Sequence, residues 1–223
     1  MRFEENGERI KDLKLILSRV AYAAALWDTD GISVRFMNSR NFGIPVDRLD
    51  NIRTGEQAEA LITPDFPFQG LTPLGTELKN QVIQPMVLGP MRAGQLKKPV
   101  LVITITDGQP AGEARTMLKE SIIQLNKDVA GFGGRYGTMP CSFQIAQVGN
   151  DQGAKAFLAE LDTDPEVGQL VDCVSSEPAF ATSRYSAANT TSDYETEQEE
   201  YTIKHPQTYM TPDMWVSPRL HSH

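Results

Sequence analysis

The sequence predicts an α/β fold in which a doubly wound, mostly parallel sheet carries helices on both faces. Residues 100–105 form a nearly all-apolar, β-branched run between Pro99 and Asp107-Gly108, which is typical of a central parallel strand covered on both faces. Apolar residues at helical spacing occur before and after this run. Strands that alternate with helices in this way indicate βαβ units, so the predicted sheet is Rossmann-like.

The first predicted element is a helix over residues 10–27, where apolar residues recur at helical spacing. Because residues 21–27 are apolar nearly all round the helix, its end is expected to be buried. A turn follows at residues 28–31. Alternation of apolar and polar residues then predicts a half-buried strand over residues 32–36.

Two further helices are expected before the apolar strand. One is short and covers residues 54–63, which two prolines follow. The other begins at Thr72-Pro73 and continues to Met86, because Thr is a good N-cap and Pro fits the first helical position.

After the apolar strand, helices and strands alternate regularly. A helix is expected over residues 114–129, a strand over 142–148, a helix over 154–161 and a short final strand over 170–174. The glycine-rich residues 131–137 follow a helix and precede a strand. They are therefore expected to be a helix end and connection, and not a phosphate-binding loop.

The composition of the chain changes near Ser175, which predicts a domain at residues 1–175 and a polar, mostly disordered tail at 176–223. From Glu177 onward there are seven acidic and three basic residues, so the tail carries about half of the net charge of −8. Such a segment buries too little apolar surface to offset the entropy lost on ordering.

Charge, hydropathy and cysteine content exclude several classes of partner. The acidic balance argues against nucleic acid, and no apolar run is long enough to indicate a membrane span. Cys141 and Cys173 are the only cysteines. They are expected to be buried thiols in a reducing compartment, which favours a cytoplasmic location.

Two predicted loops lie at the carboxyl ends of strands, where ligands bind in such sheets. One contains Asp107, and the other contains Thr72. Both residues offer hard oxygen donors of the kind that Mg²⁺ prefers, and Mg²⁺ needs few protein ligands because it keeps several waters. Each also has a simpler interpretation as a helix cap, Thr72 at its own helix and Asp107 at the helix after Pro110.

The order of these motifs resembles the von Willebrand factor A-type (vWA) domain family, and more narrowly a fungal group of such domains. Residues 100–108 resemble its aspartate motif. Gly70-x-Thr72-x-x-Gly75-x-x-Leu78 resembles its threonine loop, and residues 147–151 resemble a later strand–helix step. The run Glu5–Ile10 is also similar to the fungal group. The resemblance covers residues 1–175 and implies a protein-binding module with Thr72 and Asp107 as metal ligands.

The sequence departs from the family at the motif D-x-S-x-S, which is absent. In this family the motif ends the first strand and supplies two serine ligands. Either the chain starts one strand late, as a truncated gene product would, or it is a genuine chain with a degenerate metal site. The missing strand would be central, and its loss would leave a gap of about 10 Å lined by unpaired backbone groups.

We therefore expect a non-enzymatic interaction module that binds an acidic group of a partner protein through Mg²⁺. The alternatives are a metal-independent vWA-like module, a truncated product, or a dinucleotide-binding enzyme. The enzyme is disfavoured because no glycine-rich turn follows the first predicted strand. All three histidines lie in the tail, at His205, His221 and His223, which argues against a histidine-assisted hydrolase.

Overall fold

The computed structural model describes five parts of the chain, namely residues 7–38, 44–63, 66, 70–137 and 140–174. All of them belong to the predicted domain. The predicted tail, with its three histidines, lies outside the described residues.

The sheet of the described residues has three parallel strands in the order β1-β2-β3. The strands are β1 (Val100–Thr106), β2 (Cys141–Gln147) and β3 (Val171–Val174). In register, Val102 lies opposite Phe143 on β2, and Ile145 lies opposite Cys173 on β3. Helices connect successive strands. This architecture confirms the predicted α/β fold with a parallel, Rossmann-like sheet.

Two amphipathic helices make these connections. Helix α6 (Met117–Ala130) joins β1 to β2, and helix α7 (Gln152–Asp162) joins β2 to β3. Residues at helical spacing on α6, such as Leu118, Ile122 and Leu125, are almost fully buried, so burial of this apolar stripe fixes the helix against the sheet.

A third helical segment packs beside α6. It consists of α3 (Leu74–Glu77), α4 (Leu78–Leu88), which is wound as a π-helix and contains Pro85, and α5 (Gly89–Arg92). The segment approaches α6 closely at Gly75, where a β-carbon would lie 2.4 Å from the backbone of Met117 and Leu118. Its buried side chains share one hydrophobic core with α6, α7 and the sheet.

A second, smaller core lies between α1 (Glu8–Trp27) and α2 (Gly55–Ala60). Leu17 and Ala21 of α1 pack there with Ile52, Ala58 and Ile62. Thr54 begins α2 with a capping box, in which its hydroxyl accepts from the Gln57 N–H and the Gln57 side chain bonds back to the Thr54 N–H. A 3₁₀ turn, Val46–Arg48, precedes α2.

The extended residues 32–36 border this second core. Ile32 and Ile52 form an isolated antiparallel bridge, and Val34 donates its backbone N–H to the Leu49 carbonyl at 2.8 Å. The alternating residues Ile32, Val34 and Phe36 are partly buried against the second core, so the predicted half-buried face is present although only one residue pairs as in a sheet.

The end of α1 differs from the sequence prediction. Tyr22 is 67% exposed and Leu26 is 62% exposed, so the expected burial of residues 21–27 is wrong for these two side chains. The reason is that α1 packs into the second core through one stripe, which contains Leu17 and Ala21. Tyr22 and Leu26 lie off this stripe and belong to neither core of the described residues.

The position of β1 also differs from the prediction. The run was expected to be a central strand covered on both faces. Among the described residues, however, β1 is an edge strand that pairs only with β2. Val102 belongs to the main core, whereas Leu101, Ile103 and Ile105 are partly exposed and belong to neither core. An apolar sequence indicates that a strand can be buried, but it does not show whether other strands pair with it on both edges.

Candidate functional site

The candidate site lies at the carboxyl end of β1, where the chain turns at residues 106–108. Thr106 is 1% exposed. Its hydroxyl donates to the Gly108 carbonyl at 2.9 Å and accepts from the Gly108 N–H at 3.3 Å. These local bonds hold the turn that carries Asp107, whose side chain is 23% exposed.

The structure brings the loop with Thr72 to the same place. The Thr72 carbonyl accepts from the Ala111 N–H at 3.0 Å, and a β-carbon on Gly108 would lie 4.0 Å from the Thr72 hydroxyl oxygen. The two residues predicted to bind metal are therefore on adjoining loops at one end of the sheet.

Neither residue caps a helix in the described structure. Helix α3 begins at Leu74 after Pro73, so Thr72 lies one position too early to be its N-cap. Helix α6 begins at Met117 after Thr116, nine residues beyond the turn at Gly108. The capping interpretations of Thr72 and Asp107 are both wrong, because the helices start later than the sequence pattern indicates.

The amides at the start of α3 are bound instead by Glu113, which follows β1. Its two carboxylate oxygens accept from the N–H groups of Gly75 and Thr76, each at 2.8 Å. A carboxylate at this position also interacts favourably with the positive end of the helix. Glu113 thereby joins the loop after β1 to the loop before α3, and sequence reasoning missed it because the two lie far apart along the chain.

Arg9 is the third component of the site. Its side chain is 11% exposed, and its guanidinium Nη1 lies 3.4 Å from Oδ2 of Asp107. Arg9 also lies against Gly149, where a β-carbon would be 2.3 Å from the Arg9 Nε. We call Arg9, Thr72 and Asp107 the carboxyl-end cluster.

The sequence carries one signal for Arg9. Arg9 is the second residue of α1, where the partial positive charge of the helix disfavours a cation. A buried arginine in a first turn is therefore expected to have an acidic partner. Nothing in the local sequence identifies Asp107 as that partner.

The third loop of the site follows β2. The Gln147 side-chain amide donates to the carbonyl oxygens of Gly149 at 3.3 Å and Asp151 at 3.0 Å. The Asp151 carboxylate accepts from the Ala154 N–H at 2.6 Å and caps α7. These bonds fix Gly149 beside Arg9, and the strand-to-helix step predicted at residues 147–151 is present.

The residues at this place fit a magnesium ion poorly by themselves. Thr72 and Asp107 supply two oxygen donors, and Asp107 already has a guanidinium beside it, whose charge would repel Mg²⁺. Among the residues that the structure describes, no group of three or more His, Cys, Asp or Glu side chains could hold a metal ion. Magnesium binding by Thr72 and Asp107 stays a prediction.

The cysteines offer no activated nucleophile. Cys141 is buried and Cys173 is partly buried, and both are free thiols. Burial raises the pKa of Cys141 to about 12. Burial, with Asp162 and Asp172 nearby, raises the pKa of Cys173 to about 12 as well. A reactive cysteine needs the opposite shift.

A cavity of about 380 Å³ lies at the other end of the sheet. Its lining includes Pro99 and Pro140, which precede β1 and β2, together with Lys97, Lys98 and Arg135. It is therefore separate from the carboxyl-end cluster.

In comparisons with known proteins, no family model, curated protein or solved structure matches the chain. In the part of the chain that the structure describes, no helix is both long and apolar enough to cross a membrane.

Proposed function

We propose that this chain is a protein-binding module that recognises an acidic side chain of a partner at the carboxyl-end cluster, with the guanidinium of Arg9 as the cation. The observation that carries the proposal is the position of Arg9, which is buried beside Asp107 at the carboxyl end of a parallel sheet. This is the end where open α/β sheets bind ligands.

Arginine suits this role because its planar guanidinium presents several donors to a carboxylate. The Arg9–Asp107 contact of 3.4 Å is longer than the distance of about 2.7–2.9 Å that is usual between a charged donor and a carboxylate. A partner carboxylate that reaches Arg9 can form the shorter contact. The Thr72 hydroxyl lies on the adjoining loop and can donate a further bond.

A binding role is favoured over catalysis by what the site contains. Its side chains are an arginine, a threonine and an aspartate, and the cysteine thiols elsewhere have raised pKa values. The resemblance of residues 1–175 to vWA domains, which take a partner carboxylate at this end of the sheet, also supports an interaction role.

The second candidate is the Mg²⁺-dependent form of the same function. One observation favours it: Thr72 and Asp107, the two predicted ligands, lie on adjoining loops. In that form the ion would sit between them and take its remaining ligands from water and from the partner carboxylate, and Arg9 would have to leave Asp107.

A paired peptide array separates the two forms. Each acidic peptide is printed beside a counterpart in which Asp and Glu are replaced by Asn and Gln, and the full chain is applied with Mg²⁺ or with EDTA. We expect selective retention by acidic peptides, equal in both solutions and lost in Arg9→Gln.

Lys11→Gln is the matched control, because Lys11 is exposed on the same helix turn and pairs with its neighbour Glu8. It should retain the selectivity. Loss of binding in EDTA together with retention in Arg9→Gln would establish the Mg²⁺ form. Equal retention of acidic and neutral peptides by the wild-type chain would refute both.

A further inference from the structure

The outer edge of β1 carries a row of backbone groups that do not take part in the sheet. Val100 donates to the Pro140 carbonyl, and Thr106 accepts from the Val148 N–H. Even-numbered residues of β1 therefore point their N–H and C=O groups toward β2. Because backbone groups alternate along a strand, those of Leu101, Ile103 and Ile105 point to the other edge, where no described residue bonds to them.

This edge lacks the features by which proteins usually protect an exposed strand. β1 has the sequence VLVITIT, without a charged residue or a proline, and its ladder with β2 runs through all seven residues without a bulge. The Leu101, Ile103 and Ile105 side chains, on the face of β1 opposite to Val102, are partly exposed and belong to neither core. A long, apolar, regular edge of this kind is a template for another strand.

A second row of backbone groups that point away from their neighbouring strand belongs to the extended residues 32–36. Ile32 exchanges both backbone bonds with Ile52, and Val34 donates to Leu49. The backbone groups of the intervening Ser33 and Arg35 therefore point away from residues 49–52. No described residue forms a backbone bond with them.

Contacts near their ends indicate that the two extended segments run alongside each other in the same direction. At their start, Lys98 forms ion pairs with Asp28 at 2.5 Å and Asp30 at 2.8 Å. At their end, Asn38 donates to the Leu71 carbonyl at 2.9 Å, and the next residue, Thr72, lies beside Gly108.

The contacts at both ends fix the two edges without pairing them, because no backbone hydrogen bond joins residues 30–36 to residues 98–106 within the described chain. Two strands that flank a third lie about 10 Å apart, a separation that the extended side chains of a lysine and an aspartate can bridge. We call the space between residues 32–36 and β1 the strand slot.

Helix α1 runs along the same length. Arg9, in its first turn, pairs with Asp107 after β1, and Asp28, directly after its last residue, pairs with Lys98 before β1. The helix is therefore antiparallel to β1 and fixed at both ends, independently of the strand slot.

We propose that the strand slot binds one extended segment of a partner polypeptide, apolar on both faces, which adds to the sheet between β1 and residues 32–36. The complementarity is one of partial charges, since alternating N–H donors and C=O acceptors on both edges match those of a single strand. Apolar side chains are required because Val102 faces the main core on one side of β1, and Leu101, Ile103 and Ile105 face the other side.

This site is separate from the carboxyl-end cluster and extends the function proposed above. A second copy of the chain is a poorer occupant than a peptide. Pairing through the β1 edge of another copy would bring two further strands with it, whereas the strand slot is bounded on both sides and admits only one.

The test uses a synthetic peptide with as many residues as β1, built from Val, Ile and Thr and flanked by one Lys at each end. Hydrogen exchange of the full chain is measured by NMR. In the free chain, the amides of Leu101, Ile103 and Ile105 should exchange faster than those of Val102 and Thr104. The peptide should slow the first set by about tenfold or more.

Two N-methylated peptides examine the geometry without altering the protein. Methylation of alternate amides blocks the donors on only one edge of the peptide. The strand slot predicts that either pattern of methylation weakens binding by about tenfold or more, because both edges are used. If only one pattern of methylation weakened binding, the peptide would pair with β1 alone and not with residues 32–36, which would overturn the proposal.

A variant pair adds a readout on the chain itself. Ile103→Lys places a charge on the face of β1 that also carries Leu101 and Ile105, which the bound segment would extend, and should abolish binding. Ser142→Lys, at an exposed position of β2, should retain it. Unchanged exchange with the peptide present overturns the proposal. Protection of the same amides in the free chain also overturns it. Protection that increases with protein concentration would identify a second copy as the occupant. Protection that does not depend on concentration would identify a segment of this chain as the occupant.

Discussion

The guanidinium of Arg9 and the carboxylate of Asp107 lie 3.4 Å apart, although 98 residues separate them along the chain. This ion pair joins the first turn of α1 to the turn after β1. Because Arg9 is 9% exposed and Asp107 is partly buried, solvent screens the contact less than it would screen a surface pair. The pair is thus part of the fold as well as of the proposed binding site.

The first prediction concerns the energy of this pair. In a double-mutant cycle with Arg9→Gln and Asp107→Asn, we expect a coupling of about 1–2 kcal/mol in the free energy of unfolding. Urea denaturation of the four proteins measures it. The Lys11–Glu8 pair is exposed on both sides, so solvent screens it and the corresponding cycle should give a much smaller coupling. Equal couplings for both pairs would contradict the structure.

The second prediction concerns Gly149. Its φ of 77° favours glycine, and a β-carbon would collide with Arg9. Gly134 has a φ of 78° and open space around its α-carbon, so it is a matched control for backbone strain alone. Gly134→Ala should cost about 1 kcal/mol of stability. Gly149→Ala should cost more and should shift the Arg9 side-chain resonances in NMR spectra, whereas identical costs would mean that the contact with Arg9 is absent.

The third prediction concerns Glu113. Replacement by Ala removes the acceptor of two backbone N–H groups at the start of α3, and we expect a loss of about 1–2 kcal/mol in the free energy of unfolding. Glu59→Ala, at an exposed position of α2, should change it by less than about 0.5 kcal/mol. Urea denaturation of both variants provides the comparison. The amides of Gly75 and Thr76 should also exchange faster in Glu113→Ala, which a general destabilisation would not confine to these positions.

The fourth prediction concerns the two thiols. Their pKa values of about 12 in the folded chain lie above the usual 9.0. Above pH 9 the unfolded chain therefore loses thiol protons that the folded chain retains, so this contribution to stability falls as pH rises from about 9 to about 12. Urea midpoints should fall less steeply over this range when Cys141 and Cys173 are both replaced by Ala.

Alkylation of these thiols by iodoacetamide at pH 8 provides a separate measurement. Since three units of pKa correspond to about a thousandfold difference in thiolate fraction, we expect very slow reaction in buffer and fast reaction in urea. Fast reaction of either thiol in buffer would contradict its burial.

Much of the fold could be predicted from local pattern. Helical periodicity located α6 and α7, and a β-branched apolar run located β1. Patterns were less informative at the helix starts. Thr72 has the residue type of an N-cap, but the acceptor for the α3 amides is Glu113, which arrives from another loop.

The sequence predicted the location of the candidate site but not all of the residues that form it. Thr72 and Asp107 were identified because they follow or precede recognisable elements, and both lie at the carboxyl end of the sheet. Arg9 and Gly149 were not identified, because they are close to Asp107 only in the folded structure and no sequence motif links the three residues.

The sequence by itself determined the α/β class and the location of most helices and strands of the described residues, because hydrophobic periodicity and turn residues act over a few neighbouring positions. Only the tertiary structure decided which cation stands beside Asp107 and which edge of β1 has a neighbour. Both depend on how distant segments meet: the pairing of Arg9 with Asp107, and the alignment of residues 32–36 along β1, follow from packing of whole elements that no local pattern encodes.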